Sequence, residues 1–266
     1  MTVMLKDLLS LKGRTALVTG GAGFLGTAMC ETFAELGANV VIASRDEEKC
    51  KRAAAALQET FGDGTGALGL HLDVLDGESI AGVMSATKDE FGGLDILVNN
   101  AWSGNKNSWE SITEEDWRYD VDVSLNSPFV VTKAAFPMLK TSRGVILNVG
   151  SMYGHVAPDY RLYEGTTFQN PPSYGAAKAG LIQFTKYLSS FLAPYGIRAN
   201  ALSPGAYPHP PVREHEIFHG RLAAKNPIGR VGDPEDLKGA VAVLCSDAGA
   251  YITGQNVCVD GGWAVW

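Results

Sequence analysis

The chain has 266 residues, 45% hydrophobic and 19% charged, with a formal net charge of −7 at pH 7. That is an ordinary soluble globular composition, and its acidity argues against nucleic acid or an anionic membrane as the main partner. No apolar run approaches the roughly 20 residues that span a bilayer. The first ten residues carry an acid inside their apolar stretch and no signal-like cleavage site. Cys30, Cys50, Cys245 and Cys258 are too far apart for a dense disulfide framework, so the expected setting is the cytoplasm, with four reduced thiols.

Residues 15–19, 39–43, 68–72, 95–98 and 145–149 form short apolar runs rich in β-branched side chains. Strands covered on both faces lose the polar alternation of half-exposed ones, so these predict buried parallel strands. Helical stretches are expected between them, over 27–36, 46–61, 78–91 and 128–140, and two further strands over 198–202 and 256–259. The alternation predicts one α/β domain, a doubly wound, Rossmann-type parallel sheet of about seven strands. Two segments break the pattern, 154–172 and 204–227, the second crowded with Pro and His. Both follow predicted strands at their carboxyl ends, where open α/β sheets bind ligands, and are expected to be substrate loops.

Thr19-Gly-Gly-Ala-Gly-Phe-Leu-Gly26 follows the first strand and opens the first long helix. Gly20, Gly23 and Gly26, with Phe24 and Leu25 between them, predict a tight turn that lets backbone approach a pyrophosphate at a helix N-terminus. The second strand ends in Ser44 and Arg45 rather than an acid. An arginine there suits a 2′-phosphate, which favours NADP(H) and leaves NAD(H) open. Asp46 reads as either a helix cap or a ribose ligand.

Tyr174 and Lys178 stand four positions apart and share one helix face. An ammonium about 5 Å from a phenol, at an effective dielectric near 20, is worth roughly 3 kcal/mol to the phenolate. That would lower the tyrosine pKa by about two and make it a general acid or base.

Together these residues resemble the short-chain dehydrogenase/reductase superfamily in its shorter, single-domain branch, from about Leu11 to the C-terminus. The resemblance rests on the glycine turn, Asp73-Val74, Asn99-Asn-Ala101, Asn148-Val-Gly-Ser151, Tyr174-x-x-x-Lys178, Ser203-Pro-Gly205, and Gly254-Gln255 with Val259-Asp-Gly-Gly262, in that order. It implies an NAD(P)-dependent enzyme interconverting a carbonyl and a secondary alcohol. Tyr174 would pass the proton, Ser151 would hold the same oxygen, and Lys178 would lower the tyrosine pKa and grip the nicotinamide ribose. Asp73 and Val74 would contact adenine, Asn99 and Ala101 would line the cofactor groove, and Pro204 and Gly205 would border the nicotinamide. It also implies a homotetramer or homodimer, to which the apolar tail from Gly261 to Trp266 would contribute.

The chain departs from the pattern at several places. The family's relay asparagine aligns with Ser124, with Asn126 two positions later. Trp102 stands where a glycine is usual, and Tyr207 and Pro208 occupy the stretch where a threonine follows Pro-Gly. Phe24 replaces a glycine, so the phosphate turn looks like that of the extended branch. A sugar-nucleotide epimerase or dehydratase with tightly bound NAD is therefore an alternative, and a catalytically silent nucleotide-binding regulator is a third. Ser151 and Tyr174 are 23 positions apart, a long span that makes room for an inserted loop. Its Asp159 and Arg161, with Trp102, Tyr153 and Tyr207, are the candidate substrate residues. They suit a sugar, polyol or sugar acid as the small-molecule substrate. His209, His215 and His219 lack metal-site spacing, and no metal is expected.

Overall fold

The computed structural model describes residues 2–62 and 64–266. Seven parallel strands form one sheet in the order β3-β2-β1-β4-β5-β6-β7. In chain order the elements are α1 (Leu5–Leu9), β1 (Thr15–Thr19), α2 (Phe24–Glu35), β2 (Asn39–Ser44), α3 (Glu47–Phe61), β3 (Ala67–His71), α4 (Gly77–Phe91) and β4 (Ile96–Asn99). There follow α5 (Glu114–Val121), α6 (Ser127–Ser142), β5 (Val145–Val149), α7 (Pro172–Leu192), β6 (Arg198–Pro204), α8 (Pro210–Arg213), α9 (Glu216–Lys225), α10 (Lys238–Cys245) and β7 (Asn256–Val259). The winding reverses between β1 and β4, which places a crevice at their carboxyl ends.

Alternation along each strand feeds two cores. Ala16, Val18, Val40, Ile42, Ile96 and Val98 face Met29 and Phe33 of α2 and Val241 and Leu244 of α10. Leu17, Val41, Leu97 and Ile146 face Ile80 of α4, Leu139 of α6 and Leu188 of α7. Successive side chains on a strand point to opposite faces, so the central strands are mostly apolar on both sides. A third cluster, including Tyr153, Phe218, Leu222 and Trp263, sits over the mouth of the crevice.

Two expectations shift. α2 begins at Phe24, not residue 27, because Gly23 stands extended as its cap, so Phe24 to Gly26 already belong to the helix. Segment 204–227 is largely helical: Phe218 and Leu222, one turn apart, are buried and hold α9 down. Between α5 and α6 the chain makes a π-helical turn over Asp122–Asn126, a wide turn that often marks functional sites. The four cysteines are free, and no helix among the described residues is long and apolar enough to cross a membrane.

Candidate active site

A cleft of about 830 Å³ runs across the carboxyl ends of β1 to β6, a size that suits a small-molecule site. Its floor is the glycine turn. Gly20 has φ +65°, and a side chain there would meet the Ala101 backbone at 2.9 Å. A Cβ on Gly26 would run into the carbonyl oxygen of Gly20. The first bond closing α2 runs from Thr27 N–H to the Gly23 carbonyl. The N–H groups of Phe24, Leu25 and Gly26 precede it, in residues that line the cleft. Free donors, a helix N-terminus and room for close approach fit a pyrophosphate. Asn100 braces the turn by donating from Nδ2 to the Thr19 and Gly20 carbonyls at 2.9 and 3.1 Å.

Ser44, Arg45, Lys49, Asp73 and Val74 line one end of the cleft. Asp46 is a helix cap here, accepting the Lys49 N–H at 2.9 Å. Asp73 accepts the Leu75 N–H at 2.9 Å. Arg45 reaches across to donate to Ser103 Oγ at 3.3 Å.

Ser151, Tyr174 and Lys178 meet in the middle of the cleft, with Pro204, Gly205 and Tyr207 across from them. Ser151 lies two residues past the end of β5 and caps the short turn after it, accepting the Tyr153 N–H at 3.1 Å. Tyr174 sits in the first turn of α7, with the Trp102 ring edge-on at 5.7 Å. Lys178 is buried, donates to the Val149 carbonyl at 2.6 Å, and has its Nζ 5.9 Å from the centre of the Tyr174 ring.

The electrostatics differ from the sequence expectation. Burial raises the Tyr174 pKa above the ordinary phenol value, opposed only in part by its hydrogen bond with Ser151. Burial also lowers Lys178 to about 8. Desolvation thus sets the direction of both shifts, and Tyr174 is a protonated phenol at neutral pH.

The lysine shift has a stability consequence. Its native pKa of about 8 lies below the ordinary lysine value of 10.5, so burying the charge costs stability in full below pH 8 and nothing above both values. Stability from this group therefore rises between those limits. Lys178→Met is expected to be relatively stabilising at pH 7, and the wild type should regain about 1–2 kcal/mol against it by pH 9.5. Paired denaturant titrations at the two pH values check this, and a pH-independent difference would contradict it.

Several candidate residues lie outside the cleft wall. Asn99 is buried beneath it, donating to Thr132 Oγ1 and Asn148 Oδ1 at 3.0 and 2.8 Å; its neighbour Asn100 faces the turn instead, since adjacent residues on a strand alternate faces. Ser124 is buried in the π-helical turn with no hydrogen-bond partner for its hydroxyl among the described residues, beside Val123, which lines the cleft. Asn126 is turned to the surface and donates to Asp122 at 2.6 Å. Asp159 and Arg161 do not line the cleft: they bond to each other at 2.7 and 2.8 Å, and Arg161 is exposed. A carboxylate and a guanidinium two positions apart satisfy one another more readily than a distant ligand.

Tyr153 lines the cleft with its hydroxyl committed to Tyr163 at 3.0 Å. Around it the structure assembles side chains that no sequence spacing marks: Tyr163, Phe168, Val212, Phe218 and Leu222 form the wall, with Lys106 at the rim. Phe168 stacks on Phe218 at 4.8 Å, and Arg221 donates to the Leu162 carbonyl at 3.0 Å, so the inserted loop is fastened to α9. His209 packs on Phe24 at 4.8 Å, and His215 accepts the Phe218 N–H at 3.2 Å. The one three-ligand group among the described residues is His155, Cys258 and Asp260, whose aspartate already accepts the Gly262 and Ala264 N–H groups at 3.0 Å.

A family model described as enoyl-(acyl carrier protein) reductase matches residues 21–264. The chain is 37% identical to a 3-oxoacyl-(acyl-carrier-protein) reductase of Vibrio cholerae over 96% of its own length and 98% of that protein. It is 34% identical to trans-4-hydroxycyclohexanecarboxylate dehydrogenase of Sinomonas cyclohexanicum, over 94% and 92%. Among solved structures, a gluconate 5-dehydrogenase from Burkholderia cenocepacia, in complex with NADP and tartrate, superposes with a TM-score of 0.87 at 28% identity, covering 99% of this chain and 100% of that one. A short-chain type dehydrogenase/reductase from Mycobacterium marinum superposes equally well at 29% identity, with the same coverage. With the doubly wound sheet, the glycine turn and the serine, tyrosine and lysine in one cleft, these likenesses identify the chain as a single-domain oxidoreductase of the short-chain dehydrogenase/reductase family.

Proposed function

We propose that the protein interconverts a secondary alcohol and its ketone using NADP(H), with Ser151, Tyr174 and Lys178 as its catalytic residues. The observation that carries this reading is their convergence in one cleft with the phosphate turn and with Arg45 and Lys49. The nicotinamide, when bound, supplies or accepts the hydride. The chain's own groups do the rest. Ser151 Oγ–H donates a hydrogen bond to the carbonyl oxygen and holds it beside Tyr174. Tyr174, protonated at neutral pH, gives its Oη proton to that oxygen in reduction and takes it back in oxidation. Lys178 holds the ribose and replenishes the phenol proton. The orphan hydroxyl of Ser124 stands in for the relay asparagine by holding a water.

The substrate reading follows from the wall. The polar insert residues that favour a polyol are tied to each other, while the cleft presents Trp102, Tyr153, Tyr163, Phe168 and Phe218. The acids that line the cleft, Asp46 and Asp73, belong to its nucleotide end, whereas Lys106 comes from the loop that carries Trp102. We therefore favour an anionic, compact secondary alcohol whose ring or carbon face packs on aromatics. Alicyclic hydroxy acids and sugar acids both meet that description, in keeping with the names of the Sinomonas and Burkholderia relatives.

An absorbance assay of the reduced nicotinamide, run with both cofactors against alicyclic hydroxy acids, sugar acids, neutral polyols and simple ketones, tests the reading. Turnover of an acid class with NADP(H) is the expected result; turnover confined to neutral polyols would reject the anionic substrate. Copurified NAD without net redox turnover would favour an epimerase. Val265 and Trp266 remain exposed on the single chain, which supports a homotetramer or homodimer; light scattering that finds a monomer at micromolar concentration would reject it.

A further inference from the structure

Asp120 lies near the end of α5 and is 3% exposed. Its carboxylate accepts the Ser173 hydroxyl at 2.5 Å, the Asn105 backbone N–H at 3.0 Å and the Asn105 side-chain amide at 2.6 Å. No basic side chain pairs with it among the described residues. A buried carboxylate held only by neutral donors costs more than an apolar side chain of the same size would. Its presence therefore calls for a geometric explanation, and its three bonds supply one.

Ser173 immediately precedes Tyr174 in the first turn of α7. Asn105 belongs to the loop after β4 that carries Trp102, and the Trp102 ring meets Tyr174 edge-on. Gly104 lets that loop close onto the carboxylate: a Cβ there would lie 2.8 Å from Asp120 Oδ1 and 3.5 Å from the Trp102 ring. One carboxylate thus grips both the segment that bears the phenol and the segment that bears the wall against it.

We infer that Asp120 is a positioning residue that fixes Trp102 relative to Tyr174, so that substrate held by the aromatic wall presents its oxygen to the phenol. The inference rests on Tyr174 being the proton donor. Asp120 touches neither substrate nor cofactor, and its effect passes through Ser173 and Asn105.

The test uses Asp120→Asn, which keeps the shape but turns one acceptor into a donor facing Asn105 or Ser173. Misplacing a reacting group by about 1 Å can cost a hundredfold. Asp120→Asn is therefore expected to lower kcat about tenfold to a hundredfold, while the Kd for NADPH stays near the wild-type value. Ser173→Ala should cost less, and the Asp120→Asn/Ser173→Ala pair should be no worse than Asp120→Asn alone. In a Trp102→Ala background, Asp120→Asn should lose most of its effect, because the group it positions has gone; a merely structural role would cost the same in both backgrounds. Wild-type kcat in Asp120→Asn, or equal losses in all backgrounds, would overturn the inference. Should Asp120→Asn fail to fold, the Ser173→Ala/Trp102→Ala pair carries the same comparison, with non-additive losses expected. Tyr174→Phe in the same assay separates the two claims. A fully active Tyr174→Phe removes the underlying reading, whereas an inactive one beside an unimpaired Asp120→Asn removes this inference alone.

Discussion

Tyr174→Phe is expected to lower kcat about a thousandfold, within the range that a positioned general acid contributes. The substitution deletes one hydroxyl and keeps the ring, so the edge-on packing of Trp102 against it survives and the fold is retained. What disappears is the phenol hydroxyl that lies beside Ser151 in the cleft. The other tyrosine hydroxyls nearby are not substitutes: those of Tyr153 and Tyr163 bond each other. Because burial raises the Tyr174 pKa, the phenol is a competent acid at neutral pH and a base only at alkaline pH. The sign follows: wild-type reduction should be fastest at neutral or lower pH, and oxidation should climb as pH rises toward the phenol pKa. In Tyr174→Phe both profiles should flatten. Steady-state rates in both directions, with NADPH binding measured separately, check this. A kcat within a few-fold of wild type would show that the proton comes from elsewhere.

Arg45→Ala should weaken NADP(H) by about a hundredfold and leave NAD(H) within a few-fold, since charge-assisted bonds to a phosphate are worth about 1.5–3 kcal/mol and Arg45 offers a bidentate fork. The structure strengthens the case in two ways. Asp46, the acid nearest the end of β2, has one carboxylate oxygen engaged as a helix cap, which leaves Arg45 the residue at the strand end whose charge is complementary to a phosphate. Lys49, one turn into α3, lines the same end of the cleft and adds a second cation. Among the described residues Arg45 is satisfied only by Ser103 at 3.3 Å, a weak bond that a phosphate would readily displace. Titrating each reduced nucleotide against protein fluorescence gives both affinities. Equal losses for NADP(H) and NAD(H) would assign Arg45 a general electrostatic role rather than selection of the 2′-phosphate.

Much of this molecule is legible in its sequence because the relevant information is local. Buried strands such as 15–19 and 145–149 declare themselves by short, mostly apolar, β-branched runs, and the phosphate turn by three glycines between a strand and a helix. Tyr174 and Lys178 share a helix face because four residues make about one turn. The limits of that legibility are also physical. Asn99 and Asn100 look equivalent in a motif, but strand alternation buries one and aims the other at the turn. Asp159 and Arg161 look like substrate ligands until each finds the other. A four-residue spacing puts a lysine near a tyrosine, yet the direction of their pKa shifts depends on how much water the surrounding chain removes, and here burial prevails. The aromatic wall draws on residues 102, 153, 163, 168 and 218, and the Asp120 hub on residues 105, 120 and 173. Sequence by itself determined the seven strands, their order along the chain and the candidate reacting groups, through patterns spanning a turn or a strand. Only the tertiary structure decided the environment of those groups, because desolvation and long-range packing arise when distant segments meet.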